Sequence, residues 1–201
     1  MDILKFIAAL AGAYLLGSIC TAAIVSNRVM KKDIRELGSG NPGFANSLRV
    51  MGKGWAVVVF AVDCLKGVAA VLLAEAIWPE HPYLYLLAGI CALLGHAYPL
   101  FFGFKGGKGI STMAGIALVT DWRVALIAIG IYVIIVLTTR VSSLGSIIAA
   151  CSVPVLTAIF HHAPGSWDYI LIAGTAVMAL MLVLWHRGNI ARLIKGDEKK
   201  I

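Results

Sequence analysis

The sequence predicts an all-α integral membrane protein with about seven transmembrane helices, one of them short. The 201-residue chain is 60% hydrophobic and 13% charged, and its mean hydropathy is +0.91. Soluble domains are about half apolar and about a quarter charged. The apolar residues form continuous runs, which indicate helices because only helices or closed barrels satisfy every backbone polar group inside a bilayer. Most basic residues fall in segments between these runs.

The apolar runs define the expected helices in order. A helix needs about 20 residues to cross the hydrocarbon core. The predicted spans cover residues 3–26, 54–78, 83–102, 110–120, 123–139, 144–161 and 168–186. The fourth is too short to cross regularly, so we expect a half-helix, a tilted segment or a helix fused to its neighbour across Asp121-Trp122-Arg123. No linker, internal repeat or low-complexity segment stands out, and we expect residues 1–201 to form a single domain.

The distribution of Lys and Arg predicts the orientation in the membrane. Fourteen of the 17 Lys and Arg residues lie in segments on one side, namely 27–53, 103–109, the turn at Arg140 and the C-terminal tail. Connecting segments rich in Lys and Arg stay in the cytoplasm. Seven spans therefore place the N-terminus outside and these segments inside. Six spans would break the alternation.

Charge and cysteine content argue against a nucleic-acid-binding protein and against a protein held together by disulfides or a metal. The net charge of +7 does not indicate a nucleic-acid partner, because the basic residues form no basic face or known module. Each cysteine stands alone in an apolar run, without a CxxC spacing, as a small buried residue would. We therefore expect neither a disulfide framework nor a metal site. The cysteines are Cys20, Cys64, Cys91 and Cys151.

A polar, glycine-rich segment at Asp33–Arg49 separates the first two spans. Glycines let backbone N–H groups approach a ligand closely, and Ser and Asn add side-chain donors. Arg49 at its end can grip a phosphate through two hydrogen bonds. The segment therefore predicts a phosphate site, with a solvated loop whose glycines merely turn as the alternative. The candidate residues are Gly38, Ser39, Gly40, Asn41, Gly43, Asn46 and Arg49.

A second such segment lies at Gly103–Gly109. It is not a nucleotide-binding P-loop, since the spacing before Gly107-Lys108 is one residue short and Gly109 stands where Ser or Thr should follow. Its amides open the helix predicted from Ile110, where a positive helix end favours an anion, and Lys108 adds a full charge. We expect Gly106, Gly107, Lys108 and Gly109 to bind substrate, and a plain basic turn is the alternative.

Other polar residues stand inside or at the ends of spans. Asp63 and Lys66 are three apart on one helix face and can pair. Buried charges in a membrane are usually functional, although a purely structural pair is an equal alternative. His96 closes the third span, where an interfacial hydrogen-bonding residue is the simpler interpretation. His186 and Asn189 share a face at the end of the last span, with a helix C-cap at Gly188 as the alternative. Ser143 and Ser146 return to the same side and complete the predicted pocket.

Together these segments resemble the bacterial acyl-phosphate:glycerol-3-phosphate acyltransferases of the PlsY type. The resemblance covers nearly the whole chain, and the order and spacing of its parts are more specific than any one glycine-rich piece. The shared pattern comprises Gly17-Ser18, Asp33–Arg49, Asp63-xx-Lys66-Gly67, His96-xx-Pro99, Phe104–Gly109, Ser143–Ser146 and His186-Arg187-Gly188-Asn189-Ile190-xx-Arg192-Leu193-xx-Gly196. The resemblance implies a multi-pass protein of the bacterial (inner) membrane.

The resemblance also implies a reaction. An acyl group passes from acyl phosphate to the 1-hydroxyl of glycerol 3-phosphate and gives lysophosphatidic acid, with membrane lipid around the site. On this basis we expect Ser39, the amides near Gly40 and Asn41, and the loop around Lys108 to hold the donor phosphate. We expect Arg49, Lys108, His186 and Asn189 to bind glycerol 3-phosphate. The expected catalytic residues are Ser39, Lys108, His186 and Asn189. The general base stays open between His186 and a substrate phosphate, the second being the family expectation. No Ser–His–Asp order or metal cluster is visible, so we expect neither an acyl-enzyme nor a metal or other cofactor.

One departure and several alternatives remain. The family has Ala-Thr-Asn where this chain has Phe44-Ala45-Asn46, so a hydroxyl that could bind phosphate is replaced by a methyl group. Ser47 or a backbone amide could compensate for it.

A transporter of an organophosphate anion is the alternative function, although such proteins often show internal repeats and midplane sites. The sequence leaves open a thioester donor, the chain-length preference and the oligomeric state.

Overall fold

The computed structural model describes residues 2–81, 83–163 and 166–201 and shows a helical protein. Two short 3₁₀ helices cover Ile34–Glu36 and Leu100–Phe102. Two-residue antiparallel strands, β1 (His162–Ala163) and β2 (Ser166–Trp167), pair with each other. The α-helices are α1 (Asp2–Gly17), α2 (Thr21–Met30), α3 (Phe44–Ile77), α4 (Leu84–Ala97), α5 (Ile110–Thr120), α6 (Trp122–Thr139), α7 (Ser142–Phe160), α8 (Tyr169–Trp185) and α9 (Arg187–Lys195).

The helices confirm the predicted multi-span fold. Within the described residues, five segments are long and apolar enough to cross a membrane: Asp2–Met30, Phe44–Ile77, Leu84–Phe102, Trp122–Thr139 and Ser142–Phe160. The pair α8 and α9, bent by 59°, makes a sixth if it is counted as one span. Helix α5 is the short apolar helix that was expected, and it is not fused to α6, because Asp121 caps the start of α6 through the N–H of Arg123.

The helices cluster into two compact units, one running to Val119 and the other covering Thr120–Ile201. In the first unit, α1, α3 and α4 pack through a core made largely of alanines. Small residues let membrane helices approach closely. A Cβ at Gly17 would overlap the carbonyl of Ala92, and one at Gly115 would overlap the carbonyl of Cys64. These glycines therefore fix the spacing of α1 against α4 and of α3 against α5.

The first predicted span is broken in two, where the sequence predicted one continuous helix over 3–26. α1 ends at Gly17, and α2 begins at Thr21. The ammonium of Lys66 donates to the carbonyl of Ile19 at 2.7 Å, and Thr21 Oγ1 donates to Asp63 Oδ1 at 2.9 Å. Lys66 and Asp63 of α3 thus form hydrogen bonds with the backbone and with a side chain at the break.

The second predicted span also needs correction at its start. α3 begins at Phe44 instead of residue 54 and contains a break at Gly52, whose φ and ψ are 81° and 177°. The predicted start therefore falls just after this break. As a consequence, Asn46 and Arg49 lie on the first turns of a helix and not in a loop.

The second unit packs α7 against both α6 and α8. The polar tail beyond α8 is largely the helix α9, so Gly188 lies inside a helix, and the C-cap alternative at that glycine is wrong. The C-cap of α9 is Gly196, at a φ of 76°. Large apolar side chains such as Leu137 and Ile159 are more than 60% exposed. Lipid would cover these side chains in a membrane.

Candidate active site

The loop that leads into α3 is held from inside by Asn46. This side chain is 1% exposed. Its Nδ2 donates to the carbonyls of Leu37 at 2.9 Å and Ile34 at 3.3 Å, and its Oδ1 accepts from the Ser39 N–H at 2.8 Å. Both amide hydrogens of Asn46 are therefore engaged with the loop. Asn46 thus shapes the loop, and its expected contact with substrate stays a prediction.

Several backbone N–H groups that we expected to cradle phosphate are already engaged. Gly40 donates to Leu37 O at 2.9 Å, and Gly43 donates to Asn41 O at 3.0 Å. Gly106 and Gly107 donate to the carbonyls of Ala97 and His96, each at 3.0 Å. An N–H group has one hydrogen to donate, so the amides of Ser39, Gly40, Gly106 and Gly107 are engaged within the protein in this conformation, and their contact with a phosphate stays a prediction. These glycines serve the close packing and turning of the loops.

Left-handed backbone conformations require glycine at three positions of the two segments. Gly38, Gly40 and Gly109 have φ values of 60°, 74° and 80°. Glycine adopts this region without steric cost, whereas other L-residues rarely do. At Gly38 a Cβ would also overlap the Asn46 amide oxygen. Their role in the predicted site is thus to set the path of the chain.

The two glycine-rich segments lie side by side in the first unit, as expected. Arg35 Nη1 donates to Phe102 O at 2.7 Å and to Lys105 O at 3.3 Å. Asp33 binds the same guanidinium through Nε at 2.9 Å and Nη2 at 2.6 Å. The hydrogen bond to Arg35 lowers the pKa of Asp33, and the same bond raises the pKa of Arg35. Pro42 O would lie 2.9 Å from a Cβ on Gly107, so the segments are in direct contact.

The groups of this region that can meet an anion are mainly side chains. Ser39 is exposed, and Asn41, Arg49 and Lys108 are half-buried. α5 starts at Ile110, directly after the loop, and the first turn of a helix leaves N–H groups without intrahelical acceptors. Two cations and a helix N-terminus thus accompany the loops, an arrangement that favours a phosphate.

Ser47 does not replace the hydroxyl missing at Ala45. Residues two apart in a helix point about 200° apart around its axis. Ser47 is 0% exposed, whereas Ala45 is half-buried. Among the described residues, Ser47 Oγ is a buried atom with no hydrogen-bond partner. The suggested compensation by Ser47 is therefore wrong, and the face that carries Ala45 lacks that hydroxyl.

In the second unit, the carboxylate of Glu198 collects three of the polar side chains. Its Oε1 accepts from Ser143 Oγ at 2.8 Å and from Asn189 Nδ2 at 2.5 Å, and its Oε2 accepts from Arg192 Nε at 2.7 Å. Burial raises the pKa of Glu198, but these three hydrogen bonds outweigh it and hold the pKa below its usual value. The predicted residues Ser143 and Asn189 therefore share one partner.

His186 lies at the junction of α8 and α9 and is 3% exposed. Its Nδ1 is 2.8 Å from the carbonyl oxygen of Leu182. A carbonyl accepts hydrogen bonds and cannot donate, so this contact requires the proton on Nδ1. In the neutral ring, Nε2 is then the basic nitrogen. Ser146 is buried on the same face of α7 as Ser143, three residues further on.

The sequence did not point to Arg35, Glu198 or the backbone role of His96. Arg35 joins segments 67 residues apart, and Ser143 meets Glu198 across 55 residues. The one local signal was the Asp33-x-Arg35 spacing, which allows a short-range ion pair. The predicted pair of Asp63 and Lys66 is confirmed, with 2.9 Å between Nζ and Oδ1 and both side chains buried.

Comparison with known proteins gives a consistent result. A family model described as glycerol-3-phosphate acyltransferase matches residues 7–196. A glycerol-3-phosphate acyltransferase of Shouchella clausii is 40% identical over 204 residues, which cover 99% of this chain and 97% of that protein. One of Trichormus variabilis is 39% identical and covers 94% of this chain and 88% of its own length.

Two solved structures share the fold. Both are crystal structures of PlsY (YgiH), an integral membrane glycerol 3-phosphate acyltransferase, one in the glycerol 3-phosphate form and one in the lysophosphatidic acid form. Their TM-scores are 0.88 and 0.85. Each is 34% identical to this chain. The match covers 98% of this chain and 95% of the PlsY chain.

Proposed function

This chain belongs to the glycerol-3-phosphate acyltransferase family and transfers acyl groups to glycerol 3-phosphate in phospholipid biosynthesis, and from this premise we propose that its donor is acyl phosphate. The observation that supports this donor is the group of cations and the helix N-terminus beside the two glycine-rich segments. A thioester donor carries no phosphate at the reacting carbonyl, whereas acyl phosphate places a dianionic leaving group there.

The proposed reaction is a direct transfer. The 1-hydroxyl oxygen of glycerol 3-phosphate attacks the acyl carbonyl carbon, a new C–O ester bond forms, and the bond from the carbonyl carbon to the phosphate oxygen breaks. The hydroxyl proton passes to a base, and inorganic phosphate leaves. Lysophosphatidic acid is the other product. Positioning of two bound reactants supplies much of the acceleration in such a step, and charge stabilisation supplies more.

In the first unit, the residues proposed to act on the donor phosphate are Ser39, Lys108 and the first turn of α5. The exposed hydroxyl of Ser39 can donate a hydrogen bond, and the Lys108 ammonium offsets the charge that grows on the leaving phosphate. Arg49 supplies a planar guanidinium suited to a phosphate of either substrate. Gly38, Gly43 and Gly109 contribute through the path of the chain, and Asn41 remains a proposed contact.

In the second unit, His186 and Asn189 are proposed to bind glycerol 3-phosphate, and Ser143 and Ser146 are proposed to contribute. The Nδ1 contact makes Nε2 the basic nitrogen of the neutral His186 ring, which supports His186 as a candidate base. Proton transfer to a substrate phosphate is the competing proposal. His186→Gln separates them, because the glutamine amide can hydrogen-bond a hydroxyl and does not act as a base near neutral pH. Turnover within about tenfold of wild type favours the phosphate, whereas a loss of about 100-fold or more favours His186.

The donor is tested with purified protein in detergent. Turnover with acyl phosphate is compared with turnover with acyl carrier protein and coenzyme A thioesters at matched chain length, with labelled glycerol 3-phosphate as acceptor. Formation of lysophosphatidic acid from acyl phosphate alone supports the proposal. Faster formation from either thioester, with no acyl phosphate reaction, contradicts it.

We also propose that residues 1–201 act as a single acyltransferase domain in the bacterial inner membrane, with the N-terminus outside and the glycine-rich segments in the cytoplasm. The clustering of basic residues supports this orientation. In a variant whose four cysteines are replaced by alanine, Arg28→Cys and Glu80→Cys each give a single exposed thiol, and the proposed orientation puts the first in the cytoplasm and the second outside. An impermeant maleimide added to intact spheroplasts should label the second thiol and spare the first. The reverse pattern contradicts the orientation.

A further inference from the structure

We propose that His96 is a positioning residue for the substrate phosphate: it holds the loop at Gly106 and Gly107 and, through Thr112, the first turns of α5. This inference rests on the proposal that this loop and the start of α5 bind a substrate phosphate. His96 itself touches no substrate group in the mechanism above. Its side chain is 7% exposed and belongs to the last turn of α4.

The backbone of His96 fixes one side of the loop. Its carbonyl accepts the N–H of Gly107 at 3.0 Å, and the carbonyl of Ala97 accepts the N–H of Gly106 at 3.0 Å. A Cβ at Gly106 would overlap the His96 carbonyl oxygen. The loop therefore lies directly on the end of α4, and its path follows the position of His96 closely.

The ring of His96 fixes the other side. A Cβ at Gly107 would overlap Nε2, so the ring lies against the loop. Its Nδ1 is 3.2 Å from Thr112 Oγ1, on the first turn of α5. The ring thus connects the loop to the helix that follows it. Two consecutive elements of the proposed phosphate site are joined through one side chain.

Thr112 is itself held firmly, so the ring has a fixed anchor. It is 0% exposed. A Cβ at Gly67 of α3 would overlap the Thr112 carbonyl oxygen and lie 3.2 Å from Ile116 N. This close approach presses α5 against α3. A ring held by Thr112 can therefore keep the loop and the N–H groups of the first turn of α5 in one arrangement before a phosphate binds, which lowers the entropy cost of binding.

Thr112→Val tests the connection without touching the loop. It keeps the shape of the side chain and removes the hydroxyl that meets Nδ1. We expect the KM for the substrate whose phosphate meets the loop to rise roughly three- to tenfold, the equivalent of one hydrogen bond, with a smaller change in kcat. Thr112→Ser keeps the hydroxyl and should restore KM. Thr157→Val is the matched control, because Thr157 is also buried in a helix and its hydroxyl bonds to Val153 O in its own helix.

Lys108→Ala separates this inference from the function that it rests on. Suppose that Lys108→Ala raises the KM for a substrate, whereas Thr112→Val changes the KM for neither substrate beyond the Thr157→Val control. The loop then binds phosphate, and the positioning role of His96 is overturned. If Lys108→Ala leaves both KM values unchanged, the proposed phosphate role of the loop fails first. The proposal is also overturned if Thr112→Val and Thr112→Ser lose the same thermal stability and have the same KM values as each other.

Discussion

The guanidinium of Arg35 donates a 2.7 Å hydrogen bond to the carbonyl oxygen of Phe102 and so ties the first glycine-rich segment to the second. Asp33 holds the other side of the same guanidinium. The two segments are 67 residues apart in the chain at this contact. One planar group, bound on its other side by a carboxylate, therefore helps to set their relative position.

Arg35→Lys should weaken this connection, because an ammonium cannot bind Asp33 at two nitrogens and reach Phe102 at the same time. We expect the KM for at least one substrate to rise about three- to tenfold, with the fold retained. Steady-state kinetics in detergent measure it. Arg28→Lys, on the exposed surface of α2, is the matched control and should leave both KM values unchanged. Equal kinetics of the two variants would show that the connection is not needed for binding.

Gly106→Ala should abolish most activity. Its Cβ would overlap the His96 carbonyl oxygen and approach that of Ala97 to 2.9 Å, so the loop must move away from α4. We expect kcat/KM to fall by about 100-fold or more, since misplacement by about 1 Å can cost that much. Gly54→Ala is the control, because a Cβ there meets no atom within 4 Å. Wild-type kinetics for Gly106→Ala would contradict the packing described above.

Asp63→Asn and Lys66→Met should each destabilise the protein strongly. Each leaves a buried charge without its ionic partner, which typically costs about 3–5 kcal/mol in soluble proteins. The double variant Asp63→Asn/Lys66→Met should lose less stability than the sum of the single variants. Thermal unfolding in one detergent measures all four proteins. Strictly additive losses would show that the 2.9 Å contact contributes no coupling.

The contact of Glu198 with Ser143, Asn189 and Arg192 should depend on pH. Its pKa is lower in the folded protein, so its stabilising contribution is full above the ordinary glutamate pKa of about 4.3 and is lost as the pH falls through the folded value. We expect Glu198→Gln to have a lower Tm than wild type near about pH 6, and the gap to narrow towards about pH 3.

Asp197→Asn provides the control for that experiment, since Asp197 is the exposed neighbour of Glu198. It should follow wild type across the pH range. A gap between wild type and Glu198→Gln that stays constant as the solution is acidified would mean that the carboxylate charge does not stabilise the tail.

Much of the fold could be predicted because a bilayer leaves few choices. Continuous apolar runs had to become helices, and the shortness of 110–120 was visible in its length. Boundaries at polar residues were less predictable. The start of α3 at Phe44 and the break after Gly17 depend on partners elsewhere in the chain, such as Lys66 with Ile19.

In the candidate site, too, residue types could be predicted from the sequence, whereas their contacts could not. Residue types predicted phosphate binding at both glycine-rich segments, and the family pattern predicted substrate-binding roles for His186 and Asn189. Which groups remain able to meet a ligand was decided by hydrogen bonds across the chain. Asn46 and the N–H groups of Gly106 and Gly107 turned inward, because Leu37, Ala97 and His96 lie within reach.

The sequence by itself determined a helical membrane protein of the acyltransferase family, since its composition, its continuous apolar runs and the order of its motifs are properties of the chain alone. Tertiary structure decided that Arg35 and His96 hold the second glycine-rich segment and that Glu198 binds Ser143 and Asn189. The physical reason is that a backbone N–H has one hydrogen to donate and a carboxylate accepts only a few hydrogen bonds. Packing of distant segments determines which partner fills them.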